Sequence, residues 1–296
     1  MRIGYAGLNY SVDCTPSSTF RLKSYSTEKL KNKIKSNLNC LEKILSYNLK
    51  HDILFFRIGS GVIPFASHEV FNFNWQKEFS QELKKIGNFI KKNNFRITMH
   101  PGPYTILNSL KQKVVDKAVK ELQYHDNFLT SLGLNSAAKI NIHVGGVYDD
   151  KEKSLQRFIK NYHRLPVSIK KRLVIENDEK SYNFSDCLKI NKKTGIPLTM
   201  DVLHYQIKNE TNNLKDSILK AVNTWGLKDG LPVIHYSSQD KNKQTGAHAP
   251  TLNEKDFIRF LKTIKGIRCD VILEIKDKEK SAQKAVKILK NNEKNK

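Results

Sequence analysis

Lys139-Ile140-Asn141-Ile142-His143 and Leu173-Val174-Ile175-Glu176 are apolar runs that each end on a residue able to bind a metal or move a proton, and their recurrence decides the fold. Upstream stand Ile53-Leu54-Phe55-Phe56-Arg57 and Phe95-Arg96-Ile97-Thr98-Met99-His100. Downstream stand Leu198-Thr199-Met200-Asp201, Pro232-Val233-Ile234-His235 and Val271-Ile272-Leu273-Glu274. An earlier run, Arg2-Ile3-Gly4-Tyr5, precedes Asn9. Eight such strands, separated by longer amphipathic stretches, predict βα units and a (β/α)8, or TIM, barrel. In that fold the C-terminal ends of all strands converge on one face, where the active site sits. Any single terminal His or acid has a chance explanation, but six in succession do not.

The chain of 296 residues has room for one full barrel, and no Pro/Gly/Ser-rich linker or short-period repeat divides it. We therefore expect a single domain over 1–296, with the polar end 291–296 frayed. Thr27 is placed to cap a first helix whose apolar residues Leu30, Ile34, Leu38, Leu41 and Leu45 recur at helical spacing. Further helices are expected over 75–93, 109–133, 151–163, 182–193, 211–225, 253–265 and 279–290. Long connections follow several strands, at 6–26, 59–74, 101–108 and 236–252, which is where a barrel builds its substrate surface. They carry Tyr10, Phe20, Phe65, Phe71, Tyr104 and Tyr236, which can pack the loops or stack on bases.

The balance of 52 basic against 29 acidic residues gives a net charge of +23 and predicts attraction to polyanions, nucleic acid first. Cys14, Cys40, Cys187 and Cys269 show no Cys-x-x-Cys spacing and read as buried or idle thiols in a reducing cytosol. The start of the chain does not read as a signal peptide, and no apolar run is long enough to span a membrane.

The chemistry follows from the strand ends. His100 heads His-Pro-Gly-Pro-Tyr, a turn stiffened by two prolines. His143 opens His-Val-Gly-Gly, whose glycines let backbone pass close to a metal or phosphate. Glu176 opens Glu-Asn-Asp-Glu, and its carboxylate can bridge two cations. Asp201 and His204 are spaced to face one pocket; His248 lies in the loop after His235; Glu274 closes the last strand. His and carboxylate ligands together suit manganese, iron or zinc rather than calcium. Cations held by shared carboxylates activate water and stabilise both oxygens of a phosphodiester displacement. His51, His125 and His163 fall on expected helices or helix ends and read as bystanders. Asp149, Asp150 and Asp240 lie in irregular loops with no assigned role.

These motifs resemble the UV damage endonucleases of the alternative excision-repair pathway, relatives of the apurinic endonucleases on a xylose-isomerase-like barrel. The resemblance runs from Gly4-Tyr5 to Lys276-Asp277-Lys278-Glu279 and is most specific over Arg57 to His68, His100-Pro101-Gly102, Glu176-Asn177-Asp178 and Leu273 to Glu279. It implies a metal-dependent nick immediately 5′ to UV photoproducts and other distorting lesions in duplex DNA, leaving a 3′-hydroxyl and a 5′-phosphate. It further implies up to three divalent cations, manganese first, with zinc or magnesium as substitutes. One ion would take His100, His143 and Glu176. A second would share Glu176 and add Asp201, His235 and Glu274, and a third would use His204 and His248. With His100, Glu176 and Glu274, His68 would serve catalysis from beside the scissile region. Tyr5 and Asn9 would contact the lesion strand, and Tyr104 would be half of a probe inserted into the duplex; Arg57 is a candidate phosphate contact.

Two positions depart from the family's pattern. Pro103 stands where the probe pair has Gln, and Val233 stands where a modifiable Lys often precedes the strand-seven His. Damaged DNA is the implied partner, with no membrane and no obligate protein partner, and the implied location is the cytoplasm, at the nucleoid. An apurinic-site endonuclease is the nearest alternative. A metal-dependent sugar isomerase or epimerase, and a catalytically dead DNA-binding barrel, are the alternatives of other classes.

Overall fold

The structure is a computed structural model that describes residues 1–208 and 213–294. Eight parallel strands close into a barrel in sequence order. They are β1 (Ile3–Ala6), β2 (Phe55–Gly59), β3 (Arg96–His100), β4 (Lys139–His143), β5 (Leu173–Glu176), β6 (Leu198–Asp201), β7 (Val233–Tyr236) and β8 (Asp270–Leu273). The helices around them are α1 (Thr27–Lys50), α2 (Trp75–Glu78), α3 (Ser80–Lys92), α4 (Gln112–Ser131), α5 (Lys151–Arg164), α6 (Val167–Arg172), α7 (Phe184–Thr194), α8 (Val202–Lys208), α9 (Leu214–Val222), α10 (Glu254–Thr263) and α11 (Glu279–Lys294). This is the (β/α)8 barrel that the strand-end pattern predicts.

Side chains alternate across a strand, so residues two apart share a face. Phe56, Ile140, Ile142, Ile175, Met200, Ile234 and Leu273 face outward into one large core between strands and helices. Phe55, Val233 and Ile272 form a small separate cluster inside the barrel. Each lies two residues before Arg57, His235 or Glu274, so the same parity that buries the apolar residues aims those polar ones into the barrel's upper end. Strand pairing then fixes their heights: His143 sits beside Glu176 and Asp201 beside His235.

Several expected boundaries are corrected. The cap of α1 is Ser26, whose side chain accepts from the Lys29 amide at 3.2 Å; Thr27 is already helical. The helix expected over 75–93 is split at Phe79 into α2 and α3. The short helices α6 and α8 were not expected, and the first two residues of the helix expected at 211–225 lie outside the described residues. The last helix passes residue 290 and runs to Lys294, and the remainder of the tail lies outside the described residues.

The cysteine reading is corrected too. Cys14 and Cys40 form a disulfide, with Cα atoms 5.7 Å apart. The connection after β1 folds back along α1, where the Asn37 side chain bonds the Ser18 amide and carbonyl at 3.0 Å each. That fold-back brings two cysteines 26 positions apart into bonding range. Cys187 and Cys269 are buried thiols outside the disulfide, as expected.

Candidate active site

At the C-terminal face the strand ends deliver two overlapping sets of metal-capable donors: His100, His143 and Glu176, and Glu176, His235 and Glu274. Glu176 belongs to both. Its Oε1 lies 2.8 Å from His100 Nε2 and 2.8 Å from His143 Nε2, while its Oε2 lies 2.6 Å from His235 Nδ1. Glu274 Oε1 is 3.2 Å from the same His235 nitrogen. Glu176 Oε2 and His235 Nδ1 are buried and yet make no directed hydrogen bond. Buried polar atoms are normally hydrogen-bonded; unpartnered ligand atoms lying within 4.8 Å of one another fit a cation instead. These groups can hold a metal ion.

Neighbouring groups orient the ligands. His100 Nδ1 lies 2.9 Å from the Pro101 carbonyl, an acceptor only, so Nδ1 carries the proton and the Nε2 lone pair is left for a cation. His248 Nδ1 is likewise 2.5 Å from the Glu274 carbonyl. Arg57, buried, donates to Glu274 Oε1 at 2.6 Å and to His235 Nε2. A ring nitrogen that accepts from Arg57 leaves a neutral His235 protonated on Nδ1, so an ion placed at Nδ1 must displace that proton or shift the guanidinium.

The electrostatics centre on Glu176. Burial works against its charge, but His143, His235 and His100 hold its carboxyl well below the usual range. Burial also works against a charged His143, and Glu176, with Asp178 and Glu274, outweighs it and lifts that imidazole to about 9. Glu274 is held low against burial by His235 and Arg57. Burial raises Asp201, although His204 beside it pulls the other way.

Not every expected residue joins the clusters. Asp201 stands outside both among the described residues, and its Oδ1 accepts the His204 amide at 2.8 Å, capping the start of α8. His204 lies 3.4 Å from Glu179 and has its ring 5.7 Å from that of His248. Glu179 was missed as a site neighbour; its place in Glu-Asn-Asp-Glu was the available signal. Arg57 is not a free phosphate contact, since Glu274 and His235 occupy it. Tyr5 corrects the expected lesion contact: strand parity turns it outward, where it is fully buried and donates to Asn48 Oδ1 at 2.7 Å. Asn9, also buried, donates to the Tyr5 hydroxyl at 2.7 Å, so the pair anchors the loop after β1 rather than presenting a surface.

A cavity of about 670 Å³ opens above the clusters, lined by His100, His143, Glu176, His204, His248, Glu274, Pro103 and Lys278 among others. A second, of about 470 Å³, is lined by His68, Phe65, Tyr104 and Glu121. Pro103 and Tyr104 thus stand on the ridge between the two, and the Tyr104 side chain is 64% exposed. His68 is exposed and outside the donor sets; its Nδ1 accepts the Val70 amide at 3.1 Å. His125, read as a bystander, is fully buried and neutral, its pKa pushed down by burial to about 4. Its Nε2 lies 3.1 Å from Ser60 Oγ, which donates to the His100 carbonyl at 2.8 Å, so it braces the loop after β2 against a strand end.

The comparisons with known proteins agree along the whole chain. Residues 1–295 match the family model described as UV-endonuclease UvdE. The chain is 41% identical over 292 residues to a UV DNA damage endonuclease of Clostridium perfringens, covering 98% of this chain and 71% of that protein. It is 33% identical over 290 residues to a UV DNA damage endonuclease of Bacillus mycoides, covering 94% and 91%. The crystal structure of SacUVDE superposes with a TM-score of 0.95 at 47% identity over 99% of both chains. The E. coli 3-keto-D-glucoside 4-epimerase YcjR covers 98% of this chain and 99% of its own at a TM-score of 0.62, but at 11% identity it shares the barrel alone. With the family model matched end to end on a barrel whose rim carries these donors, the chain belongs to the UV-endonuclease UvdE family and is an endonuclease.

Proposed function

We propose that this enzyme is a metal-dependent repair nuclease that nicks duplex DNA immediately 5′ to UV photoproducts and other distorting lesions, leaving a 3′-hydroxyl and a 5′-phosphate. One observation carries the reading: two His and carboxylate clusters share a buried Glu176 under a cavity on the barrel's C-terminal face. Divalent cations held there supply Lewis acidity for activating water and for drawing charge from a phosphodiester. The donor set, imidazole and carboxylate without thiolate, favours manganese, with zinc or magnesium as substitutes. His100, His143 and Glu176 would hold one ion, and Glu176, His235 and Glu274 a second. His204 and His248 would serve a third.

The remaining residues orient and select. Pro101 and Glu274 carbonyls fix the tautomers of His100 and His248. Arg57 keeps Glu274 ionised and in place. Pro103 and Tyr104 form the exposed ridge beside the cavity, placed to press apolar surface into a weakened base step. A lesion that stacks and pairs poorly costs less to open, so selection by deformability gives a broad substrate range without reading a base edge. His68, across the ridge, is placed to meet the displaced strand. The excess of positive charge brings the duplex to this face, and DNA as partner puts the enzyme in the cytoplasm, at the nucleoid.

Metal removal and one substitution test the reading. A duplex with one cyclobutane pyrimidine dimer is offered beside an abasic and an undamaged duplex, with manganese or with chelator. Wild type nicks the dimer duplex with manganese, stops in chelator and recovers when manganese is restored, while Glu176→Gln nicks none. Cleavage confined to the abasic duplex would make the enzyme an apurinic-site endonuclease; cleavage unaffected by chelator would overturn the metal reading.

A further inference from the structure

The segment after β8, Glu274-Ile275-Lys276-Asp277-Lys278-Glu279, frames the mouth of the site, and all but one of its charged side chains have partners. Glu274 pairs with Arg57 at 2.6 Å and Lys276 with Asp240 at 3.0 Å. Asp277 accepts from Ser281 Oγ, and Glu279 accepts from the Tyr10 amide at 3.0 Å and Ser11 Oγ at 2.9 Å. Lys278 is the exception. Among the described residues, no carboxylate lies within ion-pairing distance of its ammonium. Its side chain is nevertheless half-buried and lines the same cavity as His100, Glu176 and Glu274.

The backbone there is unusual as well. Lys278 has φ of 50°, in the left-handed region that side chains other than Gly and Asn rarely adopt. Its amide closes the turn on the Ile275 carbonyl at 3.2 Å. A lysine on a solvated turn needs neither feature. Strain of this kind persists where the surrounding structure holds a side chain to a task.

We propose that the Lys278 ammonium binds a non-bridging oxygen of the scissile phosphodiester and stabilises the charge that builds on it. This rests on the functional reading above. In the step, the oxygen of water bonds to phosphorus, the bond from phosphorus to the 3′ oxygen breaks, the water gives up a proton and the 3′ oxygen gains one. Lys278 transfers none of these. It acts as a fixed point charge, which is how lysine serves phosphate.

The test uses the whole enzyme, single-turnover nicking of the dimer duplex with manganese, and two variants. Lys278→Asn removes the charge with a residue that tolerates the left-handed turn, and Lys278→Arg keeps the charge. For Lys278→Asn we expect nicking to slow about a hundredfold, with the melting curve and the binding of manganese alone unchanged. The slope of log affinity against log salt for the damaged duplex, measured in chelator, should fall by about 0.9, one phosphate contact. Lys278→Arg should recover most of the rate. A Lys278→Asn enzyme with wild-type rate or unchanged slope, or an Arg variant as slow as Asn, overturns the assignment. So does loss of manganese binding in Lys278→Asn, which would make the residue structural. A wild type that nicks no duplex overturns the functional reading, and the role of Lys278 with it.

Discussion

Glu176 faces three imidazoles within 2.8 Å. Without metal the contact with His143 is an ion pair, and this gives the centre a pH signature. An ordinary imidazole titrates near about 6.5, while folding lifts His143 to about 9 because Glu176 outweighs burial. The folded state therefore holds this proton more tightly than the unfolded one. In metal-free enzyme the stabilisation is complete below about pH 6.5 and is lost as pH rises through about 9. A cation needs the lone pair that this proton occupies, so manganese affinity should climb across the same window, with proton release on binding. Calorimetric titration of manganese into chelator-stripped enzyme at several pH values, in buffers of different ionisation enthalpy, checks this; a flat affinity would contradict it. At Tyr104, exposed on its ridge, replacement by Ala should lower the ratio of damaged to undamaged cleavage more than it slows hydrolysis of a duplex already distorted by a gap. Equal losses on the two substrates would remove its probe role. His100, His143, Glu176, His235 and Glu274 were legible from sequence because each closes an apolar run. Asp201 closes one too, and its Oδ1 caps α8. Tyr5 misled because its strand's parity shows only once pairing is fixed: Ala6, not Tyr5, reaches the cavity.

Among the elements, the loop after β1 is held at its start and in the middle. Tyr5 and Asn9 anchor its start, Glu279 binds Tyr10 and Ser11, and Asn37 grips Ser18. The Cys14–Cys40 disulfide adds a covalent tie, which no spacing rule forecast because the two cysteines meet only through the loop's fold-back. Closing a loop of this length should stabilise the fold by about 3 kcal/mol. Denaturant melts of wild type and of a Cys14→Ser, Cys40→Ser double variant, with and without reductant, should show wild type losing that margin in reductant and the variant indifferent. Identical midpoints throughout would mean that the tie adds nothing. The order of the strands and long helices was legible, since the apolar runs and amphipathic stretches alternate. The short helices were not: α6 and α8 each occupy a turn or two, too short for helical periodicity to register.

On the scale of the whole molecule, a net charge of +23 accompanies a face on which Glu176 and Glu274 meet three histidines. On the proposed function, long-range attraction and local chemistry are separate: exterior lysines would draw the duplex, and Glu176 and Glu274 would help hold the ions. Binding to undamaged duplex should weaken steeply between about 50 and 200 mM salt, as for proteins that neutralise several phosphates, while the manganese affinity of free enzyme changes little. Fluorescence anisotropy against salt measures the first and calorimetry the second; a salt-insensitive duplex affinity would remove the charge from the account. Composition made the polyanion legible, but strand-end chemistry and the family resemblance were needed to make it damaged DNA, because the same barrel also carries sugar epimerases. The most direct measurement is the position and chemistry of the cut: an end-labelled duplex with one cyclobutane pyrimidine dimer, incubated with manganese and resolved beside sequencing markers. The proposed function predicts a single break at the bond immediately 5′ to the dimer, with a 3′ end that a polymerase extends and a 5′ end that ligase accepts. A break elsewhere, ends that neither enzyme accepts, or an intact strand with metal bound would contradict it.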